Sequence, residues 1–181
     1  MRALIFLFVC SAASLTYGDS LEAKAYRVIT GDLFVAQEGK VRHLVRLAGI
    51  KAPVAGQPFH ESSSASLKKL IDKKVLKIEW DKVEEYCKAK RDKCPKVGRV
   101  IDVGKDISLE QVRLGMAWHD VRHVDEQTTP DRTLYSEAEE HARAKRLGLW
   151  KQKKPIAPWR FTGKPAAQAA APPGPKSWFK F

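Results

Sequence analysis

Cys87 and Cys94 bracket a run of cations, Lys88, Lys90, Arg91 and Lys93, with Lys96 just beyond and Asp92 the one acid between the cysteines. Lysines on such a loop contact phosphates rather than bases, which gives salt-sensitive binding with little sequence preference. A metal site at the same cysteines needs further ligands at short spacing, and none lie nearby. His119 and His123 stand four apart in His-Asp-Val-Arg-His. On a helix they would share a face, but zinc lacks a third ligand at short spacing, so a packing role is expected. Tyr86, Trp118 and Trp178 are of the type that stacks bases, although Trp80, Trp118 and Trp150 sit in core-like motifs and are expected to pack inside.

The chain that must position these groups has 181 residues, with 33 Lys+Arg against 21 Asp+Glu and a formal charge of +12. That excess predicts attraction to polyanions such as nucleic acid, anionic glycans or a membrane surface. The length and a 44% hydrophobic share are those of one domain with a real core. Collagen-like, coiled-coil, multi-pass membrane and wholly disordered chains are excluded by composition.

Residues 1–18 begin with Arg2, continue through an apolar run from Ala3 to Val9 and close on small residues. That order is a secretory signal peptide, too short to anchor in a bilayer, with cleavage expected after Gly18. Export to the periplasm or the medium follows. Cys10 leaves with the leader, and the remaining even pair in an oxidising compartment reads as a Cys87–Cys94 disulfide.

Short strand-like runs follow at 25–30, 32–37, 41–49, 75–80 and 97–103, with a turn at Glu38-Gly39. A helix is expected after Pro58, where Phe59, Ser63, Leu67, Leu70 and Ile71 recur near helical spacing. A second is expected to be opened by Ser108, with Gln111 reaching back in a capping box, and to stop at Gly115. Thr129-Pro130 announces a third, ended by Gly148. Residues 162–175 form a Pro/Ala linker leading to an aromatic–basic end. Five strands with a helix between the third and fourth, then two helices, predict an α+β architecture: a five-stranded OB-type barrel with three packed helices.

The chain from about Ala25 to Phe161 resembles the staphylococcal nuclease-like family. The residues that carry this are Val-Ile-Thr-Gly-Asp-Leu-Phe (28–34), Val-Arg-Leu-Ala-Gly-Ile-Lys-Ala-Pro (45–53), Gly-Gln-Pro-Phe (56–59) and Val-Gly-Arg-Val (97–100). Gln-Val-Arg-Leu-Gly-Met-Ala-Trp (111–118), the stretch 137–150 and Pro-Ile-Ala-Pro-Trp-Arg-Phe (155–161) complete the set in the family's order. The resemblance implies the same barrel with three helices, over residues 19–161. It also implies a calcium-dependent phosphodiesterase of DNA and RNA, in which carboxylates hold the cation, a carboxylate base takes a proton from water, and two arginines clamp the phosphate.

Against that pattern, Asp32 matches one calcium ligand, and Arg46 and Arg99 match the two arginines. The second calcium carboxylate is replaced by Lys51 and the general base by Val54. Losing a general base costs about 10² to 10⁴ in rate, and an ammonium in the cation's place adds repulsion. The expected state is a pseudo-enzyme that needs no cofactor, with Lys51 paired to Asp32 and a positive, phosphate-sized pocket of Arg46, Lys51 and Arg99. Nucleic acid, DNA or RNA, or another polyanion is the expected partner. A rearranged nuclease that still uses calcium, with His60 or Glu61 as substitute base, is the second reading. A non-enzymatic protein of the cell envelope is the third.

Overall fold

The computed structural model describes residues 18–84, 87 and 94–163. In chain order it holds β1 (Asp19–Thr30), β2 (Leu33–Glu38), β3 (Val41–Leu47), β4 (Ile50–Lys51) and α1 (His60–Ile71). β5 (Val75–Val83), β6 (Lys96–Asp102), β7 (Lys105–Asp106), α2 (Ile107–Arg113), β8 (Trp118–His119) and α3 (Thr129–Ala144) follow. The strand order is β3-β2-β1-β5-β6, and a parallel pairing of β3 with β6, from Val45 opposite Lys96 to Leu47 opposite Gly98, closes the barrel.

β1 starts six residues earlier than the expected strand at 25. Its first half pairs with β5, from Asp19 opposite Trp80 to Lys24 opposite Val75, and its second half pairs with β2. Leu21, Ala23 and Ala25 alternate with Ser20, Glu22 and Lys24, a period of two that belongs to a half-buried strand.

Phe34, Val45, Leu47, Leu76, Ile78 and Val100 fill the barrel, and Leu67 and Ile71 of α1 close one end of it with Ile107 and Val112 of α2. A second cluster joins Trp118, Ala142, Leu149 and Trp150, with the two indoles edge to face at 5.3 Å. Trp80 packs, partly buried, against the main core. The tryptophans of the core-like motifs therefore pack inward.

α2 is capped differently from expectation. Asp106, in extended conformation, accepts from the amides of Ser108 (2.9 Å) and Leu109 (3.2 Å). Ser108 already lies inside the helix, and an ionised carboxylate is the better acceptor for amides at the positive end of the dipole. Gln111 is buried and does not reach back to the cap. α3 starts as expected, with Pro130 in its first turn and Thr128 Oγ1 accepting from the Asp131 amide.

Candidate functional site

The turn between β1 and β2 carries Asp32, and its shape is set from below. A Cβ on Gly31 would lie 1.8 Å from Ser63 Oγ, so only glycine lets the turn sit on α1. The Gln111 amide then donates to Gly31 O at 2.8 Å and to Ser63 O at 3.2 Å, while its own oxygen accepts from Ser66 Oγ at 2.7 Å. One buried side chain thus ties α2, α1 and the turn together. Nothing in the sequence pattern marks Gln111 for this, apart from its being a polar residue in a helix with few exposed positions.

Asp32 is buried with both oxygens engaged. Thr30 Oγ1 donates to Oδ1 at 2.7 Å and Lys51 Nζ to Oδ2 at 2.9 Å. Burial pushes its carboxyl up, but the charge and hydrogen bond of Lys51, aided by Thr30 and Arg46, outweigh that and hold it below the ordinary range. Lys51 reaches it from β4, a two-residue strand fixed by pairing with Trp118 of β8.

Arg46 stands between core residues Val45 and Leu47 on β3 and points to the other face. Glu126 grips its guanidinium from the connection before α3, with one carboxylate oxygen 3.1 Å from Nη1 and the other on Nη2. Glu84, just after β5, pairs with Nε, and Nη1 also donates to Leu47 O. Burial alone would lower the Arg46 pKa, but the two carboxylates raise it well above its usual value. Burial likewise pushes Glu126 up, and Arg46, the Gly49 amide and Lys82 bring it below its ordinary range.

Around Arg46 lies a cavity of about 400 Å³. Its cationic lining, Arg46, Lys51, Lys82 and Arg122, is met by Glu84, Asp120, Asp125 and Glu126. Lys82 pairs with Asp125 at 2.6 Å and Arg122 with Asp120 at 2.6 Å. The pocket expected to be positive is charge-compensated.

Arg99 is not among its lining residues. It sits two residues farther along β6 than Val97, the partner of Arg46, where β7 and α2 begin, and its Nε donates to Asp106 at 3.1 Å. The hydroxyl of Tyr135 donates to the other oxygen of the same carboxylate. Arg46 and Lys51 line this cavity together, and Arg99, on the same face of β6 as Val97, is engaged by Asp106.

Val54 lies in a turn where its amide donates to Gln57 Oε1. His60 Nδ1 lies 2.8 Å from Pro53 O, and the Glu61 side chain is 94% exposed at the start of α1. His119 is buried on β8 against Gln127, and His123 Nδ1 lies 3.1 Å from Asp120 Oδ2, so the two histidines share no helix. Cys87 and Cys94 are joined by a disulfide. Lys96 lies over the Trp80 ring at 4.8 Å. Lys88, Lys90, Arg91, Lys93, Tyr86 and Trp178, like residues 1–17 of the expected 1–18 leader and residues 164–181, fall outside the described residues.

A calcium ion, which this fold family implies, does not fit the residues present. One carboxylate remains at the position, and an ammonium is bonded to it. A hard dication wants several oxygens and repels an ammonium at that range. Among the described residues no group of three or more His, Cys, Asp or Glu is arranged to hold a metal.

The family profile described as Staphylococcal nuclease homologue matches residues 44–152. An uncharacterized endonuclease of Haemophilus influenzae is 30% identical over 164 residues, covering 88% of this chain and 83% of its own. The micrococcal nuclease of Shigella flexneri is 28% identical over 174 residues, covering 89% and 91%. The staphylococcal-like nuclease CAN1 of Arabidopsis thaliana is 30% identical over 139 residues, 77% of this chain but 38% of that protein, so the chain spans little more than a third of that plant relative's length. With the closed barrel, its three helices and this match over more than half its length, the chain belongs to the staphylococcal nuclease homologue family.

Proposed function

We propose that this chain is an exported member of the nuclease fold that binds nucleic acid and has lost calcium-dependent cleavage. The observation that carries the reading is the Lys51 ammonium, 2.9 Å from Asp32 Oδ2, where the family places a cation between two carboxylates. Val54, in place of the base, supplies no proton acceptor. The excess positive charge of the chain supports binding of a polyanion. Because Arg46 is held by two carboxylates, surface cations make the phosphate contacts: Lys96, and by sequence the lysines and arginine between the two cysteines. Two relatives that this chain covers well are named as nucleases, which supports nucleic acid as the polyanion.

Single-stranded DNA titrated into the purified protein tests this by fluorescence anisotropy at several salt concentrations. A binding constant that falls steeply as salt rises, with intact DNA recovered at the end, is the expected result. Binding that is absent at low salt contradicts it.

A second reading, an active nuclease with a rearranged site, is favoured by one contact. His123 lines the cavity and its Nδ1 is 3.1 Å from the buried carboxylate of Asp120, the arrangement that orients a histidine as a base.

A further inference from the structure

We propose that the carboxylate of Glu126 occupies the anion seat of Arg46, so that the chain's own side chain stands where a phosphate would bind. The pocket then admits phosphate only when the connection carrying Glu126 moves away. This rests on the reading above, that the fold binds nucleic acid without calcium, and adds how its inner pocket is controlled.

The seat has the chemistry of a phosphate site. Two oxygens of one anion meet the two Nη atoms of Arg46, the forked geometry by which arginine takes two oxygens of a phosphate. The Gly49 amide donates to Glu126 Oε2 at 2.9 Å, and Lys82 Nζ lies 3.4 Å from Oε1. An arginine fork, a backbone N–H and a lysine converge on one carboxylate whose side chain is 1% exposed.

The close approach is built into the backbone. Gly49 has φ +69°, and a Cβ there would stand 2.3 Å from the side chain of Gln127, the neighbour of Glu126. Glycine lets residues 126 and 127 lie directly on the end of β3.

Glu126 rides on the irregular connection between β8 and α3. Between β8 and α3 the chain has only a single three-residue helical turn, Val124–Glu126. It is tied to the barrel by the Asp120 amide on Gly49 O, at 2.9 Å, by Lys82 of β5 on Asp125, at 2.6 Å, and by the Glu126 contacts themselves, and Gln127 is held by His119 at 2.8 Å. Val121 and Val124 on this segment are exposed. The cavity of about 400 Å³ lies beside the seat, bounded by the same segment through Asp120, Arg122, His123 and Asp125.

The test is a titration of the full chain with inorganic phosphate, followed by the NMR shift of the Gly49 amide and the Arg46 Nε–H. A tethered competitor acts at an effective concentration of millimolar or more, so removing its charge strengthens binding by about tenfold or more. Wild type is expected to show no saturable shift at either position, and Glu126→Gln to show one at both. Glu137→Gln removes an exposed carboxylate from α3, outside the cavity lining, leaves Glu126 seated, and is expected to behave as wild type.

No gain in folded Glu126→Gln overturns the proposal, as does an equal gain in Glu137→Gln, which reports net charge alone. If Glu126→Gln does not fold, Glu126→Asp withdraws the charge by one methylene, and the same titration decides. Calcium-dependent cutting by wild type would instead sink the reading on which this rests, whatever the phosphate titration gives.

Discussion

Lys51 Nζ and Asp32 Oδ2 lie 2.9 Å apart, and Arg46 lies close enough to lower the same carboxyl. Asp32 is buried, whereas the Lys51 side chain is about one-third exposed. The lysine thus satisfies a carboxylate that the fold still buries. Lys51→Met leaves Asp32 without its cation and is expected to destabilise by about 2–3 kcal/mol, below the figure for a fully buried pair because water still reaches this one. Urea unfolding measures it. A variant as stable as wild type would show that Asp32 needs no partner.

Replacing the lysine by an acid tests the converse. Lys51→Asp sets two carboxylates face to face, the donor type a hard cation takes. Calcium is expected to raise the melting temperature of Lys51→Asp and leave that of wild type unchanged. Equal responses would mean that Lys51 does not hold the cation's place.

Arg46 has a structural role in this chain. Arg46→Ala leaves Glu84 and Glu126 buried without their shared cation, an expected cost of about 3–5 kcal/mol. Denaturant unfolding checks this, and a loss under about 1 kcal/mol would return Arg46 to the role of an exposed phosphate clamp.

Acid should weaken the fold. Asp32, Asp120 and Glu126 are held below their ordinary values of 3.8, 3.8 and 4.5 by neighbouring cations and hydrogen bonds, against burial. A depressed carboxyl contributes stability that is full above its unfolded pKa and is lost as pH falls through the folded one. Glu139, raised by burial, acts in the opposite sense, since its ionisation costs stability as pH rises through its folded value. With Asp125 also lowered by Lys82, four groups outweigh one, so the melting temperature is expected to drop below about pH 4. A flat profile between pH 5 and pH 3 would contradict the pairing described.

Gln111→Leu removes two donors from buried carbonyls and is expected to cost about 1–3 kcal/mol. Hydrogen exchange at Gly31 and Asp32 should quicken in this variant. Unchanged exchange would mean that the turn is held by Ser63 packing alone.

Strand alternation and helix spacing made the barrel legible, because both report which face each residue buries. Residues 19–24 carry the same alternation, but it abuts the apolar run read as a leader, which obscures where the strand begins. The site was legible as far as single positions allow: Asp32 and Lys51 face each other because the turn and β4 are adjacent in the fold. Arg99 shows the limit. Val-Gly-Arg sets it on the face of β6 that Val97 shares, but does not reveal its partner, Asp106, which takes its Nε. Glu84 and Glu126 were invisible for a different reason: their partner, Arg46, is 38 and 80 positions away in the chain.

Cleavage of single-stranded DNA by the purified protein, with calcium or with a chelator, tests most directly whether the Lys51 ammonium has displaced the cation. Intact DNA in both conditions, with salt-sensitive binding, is the predicted result. Cutting that requires calcium and disappears in Arg46→Lys would contradict the account and show that the pocket still assembles a phosphodiesterase.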